Sequence, residues 1–265
     1  MSWADFDEAL RWRVVWGAAI LLAAIPLLIW AAGNSSNDNG KPPLALMTSL
    51  PLALPEGDIS EIIGGRAEPA AAYIRLTENF DITPLDNLEQ LNRERFDLLL
   101  LAQPRALSPA ELARLQDWIG AGGRAVILAD PALRWESQYA LGDPRRPLFT
   151  SLLSPLFKHW GLELILPMDE PKASDVVVVD GERLQLAAAG AWRNTAGGIG
   201  ASCDISAQEV LAECRIGAGK AILLADADML DARHWQASGL GTLLGKDEFA
   251  NMAWLTSELL AMSHK

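Results

Sequence analysis

Four carboxylates, Asp130, Asp226, Asp228 and Asp231, follow two apolar runs of matching pattern: AGGRAVILAD at 121–130 and GAGKAILLAD at 217–226. Each passage places glycine and a basic residue before the run and an aspartate at its end. If the runs are neighbouring strands, the carboxylates gather at the strands' carboxyl ends, where open α/β sheets bind ligands. Grouped carboxylate oxygens suit a divalent cation. The competing reading is that each aspartate caps the next turn, which short acidic side chains do well. Capping is preferred here, and neither a metal nor another cofactor is assigned. As a simple cap, either Asp130 or Asp226 would accept replacement by asparagine at a cost of about 1 kcal/mol or less.

Other chemistry-bearing residues have weaker support. Thr48 and Ser49 end the first apolar run, a place where an α/β protein can carry a nucleophile. A nucleophile elbow reads G-x-S-x-G, whereas this segment reads Met47-Thr48-Ser49-Leu50-Pro51. Their hydroxyls are expected to bond to local backbone. Cys203 lies in Ala201-Ser202-Cys203-Asp204-Ile205, with no glycine and an acidic neighbour, which does not favour a reactive thiolate. Gly217-Ala218-Gly219-Lys220 precedes an apolar run, whereas a phosphate-binding loop follows a strand and leads into a helix. Nucleotide binding is not expected. His159, His234 and His264 are scattered and no CxxC occurs, which argues against a zinc site.

The elements that must position these residues are legible in part. Leu44 to Met47 reads as a first strand, Ala70 to Asn79 as a helix and Phe80 to Thr83 as a short strand. Leu98 to Ala102 is a continuous apolar run, as expected of a strand buried on both faces. Ser108-Pro109-Ala110-Glu111 combines an N-cap serine, a proline in the first turn and a capping-box glutamate. The helix it opens closes at Gly120 to Gly123, and Ala125 to Ala129 is the next buried strand. Strand, helix and strand within some 30 residues form a βαβ unit with parallel strands. Leu148 to Trp160 reads as helical despite Pro155. Asp175 to Asp180 is a valine-rich strand, and Leu184 to Glu213 holds short strands among glycine turns. Asp247 to Met262 is a closing helix, with Phe249, Met252, Leu255, Leu259 and Leu260 facing the core.

The run from Val14 to Gly33 contains no charged residue and is long enough for a bilayer-spanning helix. Arg11 and Arg13 flank it, which places residues 1–13 in the cytoplasm, and Trp12, Trp16 and Trp30 sit where interfacial aromatics lie. A cleavable signal peptide is the alternative, with Ala31-Ala32-Gly33 as the cut site. Either way, residues 34–43 form a polar tether and 44–265 an extracytoplasmic α/β domain. The protein is then a single-pass inner-membrane protein whose bulk is periplasmic. The net charge of −12 argues against nucleic acid as a partner. The two cysteines, Cys203 and Cys214, flank a turn-prone segment between two short strands, and an extracytoplasmic compartment permits a disulfide between them. Two reduced, packed cysteines are the alternative.

Phe96–Pro104, Leu107-Ser108, Glu111-Leu112, Asp117-Trp118-Ile119 and Gly122–Pro131 together resemble the auxiliary domain of gliding-motility-type ABC transport systems. Leu46–Pro51 and Leu223–Leu230 are similar to that family's first strand and late strand turn, and the closing helix with Asn251 and Trp254-Leu255 resembles the related DUF4350 group. The resemblance implies a flavodoxin-like or glutamine-amidotransferase-like, mostly parallel sheet with flanking helices and no catalytic cysteine. It also implies an accessory subunit beside an ABC permease and its ATPase. The expected function is therefore non-enzymatic, with a partner or ligand bound near Thr48, Ser49, Gln103, Asp130, Asp226 and Asp228. An extracytoplasmic hydrolase or carbohydrate-acting enzyme of amidotransferase-like fold is one alternative. A pure assembly scaffold that docks through the apolar loop Leu50 to Leu54 is another.

Overall fold

A computed structural model describes residues 40–56, 68–166, 175–237 and 247–263. Its folded body begins at Pro42. The run from Val14 to Gly33 lies outside the described residues, among which no helix is long and apolar enough to cross a membrane.

The body is a mixed α/β domain built on a seven-stranded sheet. Strands β1 (Pro43–Thr48), β2 (Asp81–Pro84), β3 (Leu98–Ala102), β4 (Arg124–Leu128) and β11 (Gly219–Leu224) run parallel. Strands β10 (Leu211–Ile216) and β9 (Ser202–Ser206) add an antiparallel edge, so the order is β2-β1-β3-β4-β11-β10-β9. The central runs are apolar throughout because successive side chains enter opposite faces and both faces are covered. Leu44, Leu46, Leu98, Leu100, Val126, Leu128, Ile222 and Leu224 point into one core, which helices α1 (Ala71–Thr77) and α4 (Asn251–Ser263) complete. Ala45, Met47, Leu99, Leu101, Ala125, Ile127, Ala221 and Leu223 point into the other, under α2 (Pro109–Gly120) and α3 (Ser154–His159). A one-residue slip of any central strand would exchange these two sets of side chains.

The start of α2 follows the sequence reading. The Ser108 hydroxyl accepts from the Glu111 N–H at 3.2 Å, and the Glu111 carboxylate accepts from the Ser108 N–H at 2.9 Å. Glu111 also accepts from the Arg105 guanidinium through both oxygens, at 2.7 and 3.1 Å. That guanidinium holds the Glu111 carboxyl down at about 2. The glycines at the start of β11 serve packing. A β-carbon on Gly219 would lie 2.0 Å from the Ile119 carbonyl oxygen and 2.3 Å from that of Gly123. Only hydrogen fits where the end of α2 crosses this strand.

Two helix boundaries differ from expectation. In the 148–160 segment only Ser154–His159 is helical, and Pro155 opens that helix instead of interrupting it. Proline is favoured there because a first-turn N–H has no intrahelical acceptor to lose. The residues before it are committed elsewhere: the Ser151 N–H donates to the Asp130 carbonyl at 2.7 Å. The closing helix begins at Asn251, not Asp247, because Asp247 pairs in a bridge with Gln236 and accepts from Arg75 at 3.0 Å.

Two small antiparallel pairs flank the sheet: β5 (Leu162–Ile165) with β8 (Ala191–Asn194), and β6 (Asp175–Val179) with β7 (Glu182–Leu186). On the main sheet, β9 and β10 turn through Ala207, Gln208 and Glu209, all with positive φ, which sets Cys203 directly opposite Cys214. The two are joined by a disulfide, with their Cα atoms 4.1 Å apart. Closing a loop of this length stabilises by up to about 3 kcal/mol in the chain-entropy model. Intact-mass measurement after alkylation of unfolded, unreduced protein should show no added reagent. The Cys203→Ser/Cys214→Ser double variant should melt at a lower temperature; uptake at both thiols would contradict the bond.

Candidate functional site

Register brings the sequence-predicted residues to one end of the sheet. Thr48 pairs with Ala102, Ala102 with Leu128, and Leu128 with Leu224, so these four strand ends stand level. Arg124 lies opposite Lys220, which aligns the two matching passages residue for residue. Asp130 and Asp226 therefore leave adjacent strands at the same height. The strand order reverses between β1 and β3, the kind of position where open α/β sheets form a ligand crevice.

Here that position is closed by hydrogen bonds. The chain leaves β3 through Gln103, a non-glycine residue at φ 42°. Such a backbone is costly for a residue with a β-carbon and persists only when its surroundings hold it. The Gln103 N–H donates to the Leu128 carbonyl at 2.8 Å. Its carbonyl accepts from the Ser49 N–H at 3.1 Å and the Ser49 hydroxyl at 2.5 Å, which joins the β1 and β3 loops. Its side chain, fully buried, accepts from the Asp130 N–H at 2.9 Å and donates to the carbonyls of Asp130 and Leu148 at 3.2 and 3.0 Å. Both ends of the amide are thus used. Thr48 turns away and accepts from the Leu50 N–H at 2.9 Å.

Beside this stitch lie Asp130, Asp226 and Asp228, all at 0% exposure. Asp130 accepts from the N–H groups of Ala132 and Ala227 at 2.7 and 3.2 Å, and also from that of Asp228. Asp226 accepts from Ala187 at 2.7 Å through one oxygen and from Met229 at 2.6 Å through the other. Asp228 accepts from the Arg134 N–H at 2.6 Å through Oδ2, while its buried Oδ1 has no partner among the described residues. Asp231, at the rim, is held by the Arg233 guanidinium and N–H.

Burial raises the pKa of all three inner carboxyls. Asp130 is pushed up to about 6, with its backbone donors pulling the other way. Asp228 is pushed up to about 7 by burial and then by the neighbouring Asp130 charge. Asp226 lies well above the usual carboxylate range, through burial and then through the charges of Asp130 and Asp228. The cluster is a set of crosslinks between loops: Asp226 ties β11 to the residue that follows β7, and Asp228 ties the 226–231 turn to the loop after β4.

Sequence reasoning missed one member. Asn251 accepts from the Gln185 N–H and donates to the Gln185 carbonyl, both at 2.9 Å, and donates to the Met229 carbonyl at 3.1 Å. The sequence marked it as a lone polar residue entering an apolar helix, and the resemblance included it without giving it a role in the site. The docking loop also needs correction, because Leu50 and Leu52 are core residues and only Leu54, at 68%, is exposed. The neighbouring cavity, of about 540 Å³, is lined by residues between Leu133 and Phe149, and none of the predicted site residues lines it.

Several solved structures are similar in part. An exo-beta-1,4-mannosidase from Opitutaceae bacterium strain TAV5 is 11% identical with a TM-score of 0.44, over 88% of this chain and 38% of its own. A beta-galactosidase from Bacillus circulans sp. alkalophilus is 14% identical with a TM-score of 0.41, over 82% and 31%. The cytoplasmic protein STM1381 from Salmonella typhimurium LT2 is 12% identical with a TM-score of 0.44, over 74% and 88%. The chain thus spans between 31% and 38% of the length of these two glycosidases. Likeness at this level assigns no activity. No curated protein matches the chain. A family model described as "ABC-type uncharacterized transport system", the auxiliary domain, matches residues 41–181, more than half of the sequence. The chain belongs to this family of ABC-type transport-system auxiliary proteins.

Proposed function

We propose that the chain is a membrane-anchored, non-enzymatic accessory subunit of an ABC transport system, which binds a partner through an extracytoplasmic α/β domain. Family membership supports the accessory role and association with ABC components in general. The finer partition follows the sequence: residues 1–13 cytoplasmic, 14–33 an inner-membrane anchor, 34–43 a tether and 44–265 periplasmic. The parallel strands, numbered among themselves, follow the order 2-1-3-4-5, which supports a flavodoxin-like arrangement.

The observation that carries the non-enzymatic reading is Gln103. It occupies a strained turn straight after a central strand, the kind of place where an amidotransferase-like enzyme presents its nucleophile. A carboxamide is not a nucleophile, and this one is committed to the backbone of Asp130 and Leu148. The carboxylates alongside are likewise engaged by backbone N–H groups. Ligand exchange at this end would require breaking bonds that hold the loops. The test is affinity isolation of the tagged full chain from native membranes in mild detergent. Retention of an ABC permease and an ATPase is expected; a chain recovered without either would reject the reading.

A further inference from the structure

The outer edge of the β6–β7 pair, on β6, differs from the two outer edges of the seven-stranded sheet. Along a strand, the N–H and C=O of alternate residues point to opposite sides. On β7, the N–H and C=O of Gln185 point to Asn251, the C=O of Arg183 accepts from the Ala250 N–H, and the N–H of Ala187 points to Asp226. The residues facing β6 are therefore Glu182, Leu184 and Leu186, opposite Val179, Val177 and Asp175. The backbone groups of Val176 and Val178 are left on the outer edge, where no partner reaches them among the described residues.

Their side chains are also free of the core. Val176 and Val178 are 43% and 55% exposed, whereas Val177 and Val179 are at 3% and 1%. The outer strands of the seven-stranded sheet, β9 and β2, carry protection of the ordinary kind. Strand β9 turns Ser202, Asp204 and Ser206 to solvent, and the short β2 ends at Pro84. Beyond the Asp175 that opens it, strand β6 carries no such residue, and it presents two donors, two acceptors and two valines in one line.

We propose that β6 is a docking edge for an extended segment of another subunit of the transport system, which adds as a third strand beside Val176 and Val178. This assignment rests on the accessory reading above. Charge selects the chemistry of the segment. Asp180 and Glu182 are exposed at the hairpin turn and outnumber the exposed Arg183 opposite Val178, and a second copy of this chain would bring a second net charge of −12. The fitting partner is an apolar strand flanked by Lys or Arg, with main-chain bonds supplying affinity and alternate apolar side chains covering the valines.

The probe is a labelled peptide KKVTVTVKK, with EEVTVTVEE as its charge-reversed control, titrated against the full chain in detergent by fluorescence anisotropy. Saturable binding of the basic peptide is expected, at least about tenfold weaker for the acidic one. Val178→Pro removes the outward N–H and should abolish binding; Val178→Lys, at an exposed side chain, should weaken it at least about tenfold with an unchanged melting temperature. Equal binding to folded Val178→Lys, or no binding by wild type, overturns the proposal. So does a concentration-dependent dimer of wild type that Val178→Lys abolishes, which would make the occupant a second copy. If the peptide binds but no permease or ATPase co-purifies, the accessory reading fails and the docking edge stands.

Discussion

Replacing Asp226 by alanine is expected to destabilise the domain by about 2–6 kcal/mol at pH 5. Two buried backbone N–H groups, those of Ala187 and Met229, would lose their acceptors. Each such orphan costs about 1–3 kcal/mol, and total stabilities of such domains are about 5–15 kcal/mol. Burial and the charges of Asp130 and Asp228 hold this carboxyl well above its usual range, so mildly acid conditions limit any gain from relieving a buried charge. Asp226→Asn should fall between wild type and Asp226→Ala, with a loss of about 1–3 kcal/mol. That exceeds the cost expected of a simple cap, because both carboxylate oxygens accept and an amide keeps only one. Denaturant unfolding of the three proteins decides the matter. A loss below about 1 kcal/mol for Asp226→Ala would mean that the crosslink contributes little.

The pH profile of stability should be highest near about pH 4 and fall toward pH 8. Asp130 and Asp228 have folded-state values of about 6 and about 7, above the ordinary 3.8. A raised carboxyl contributes stability that is fully present below the unfolded value and is lost as pH rises through the folded one. Taken together, these shifts allow a loss on the order of 5 kcal/mol between pH 4.5 and 8, as an upper figure for coupled groups. Glu111 works in the opposite direction. Its value is lowered to about 2 by Arg105, so its contribution is present above 4.5 and lost as pH falls toward 2. Asp228→Asn retains an acceptor for the Arg134 N–H and carries no charge. Its melting temperature should match wild type near about pH 4 and exceed it at pH 8; parallel profiles for the two proteins would rule out Asp228 as a source of the slope.

What the sequence revealed depended on how local the signal was. The β3–α2–β4 unit was legible because continuous apolar runs and a capping box are written within a few residues of one another. The gathering of Asp130 and Asp226 was legible from the matched passages, since equal spacing from Arg124 and Lys220 survives as sheet register. The extent of α3 was not legible: Leu148 to Leu153 have helix-like apolar spacing but serve as loop, where the Phe149 carbonyl accepts from the Leu133 N–H and the Ser151 N–H donates to the Asp130 carbonyl. Nor was the turn at Gln103, because no glycine marks its positive φ and neighbouring loops impose it. The bonds of Asp226 to Ala187 and of Asn251 to Gln185 span 39 and 66 residues, and no window of sequence contains both partners. Longer-range bonds of this kind turned a row of apparent caps into a buried network.

The accessory role is tested most directly by native mass spectrometry of the full chain extracted from its own membrane. The account predicts that the 28.6 kDa chain is found in a larger assembly, in integer ratio with a permease and an ATPase. A chain recovered solely as itself, with those subunits intact in the same extract and bound to one another without it, would contradict the account.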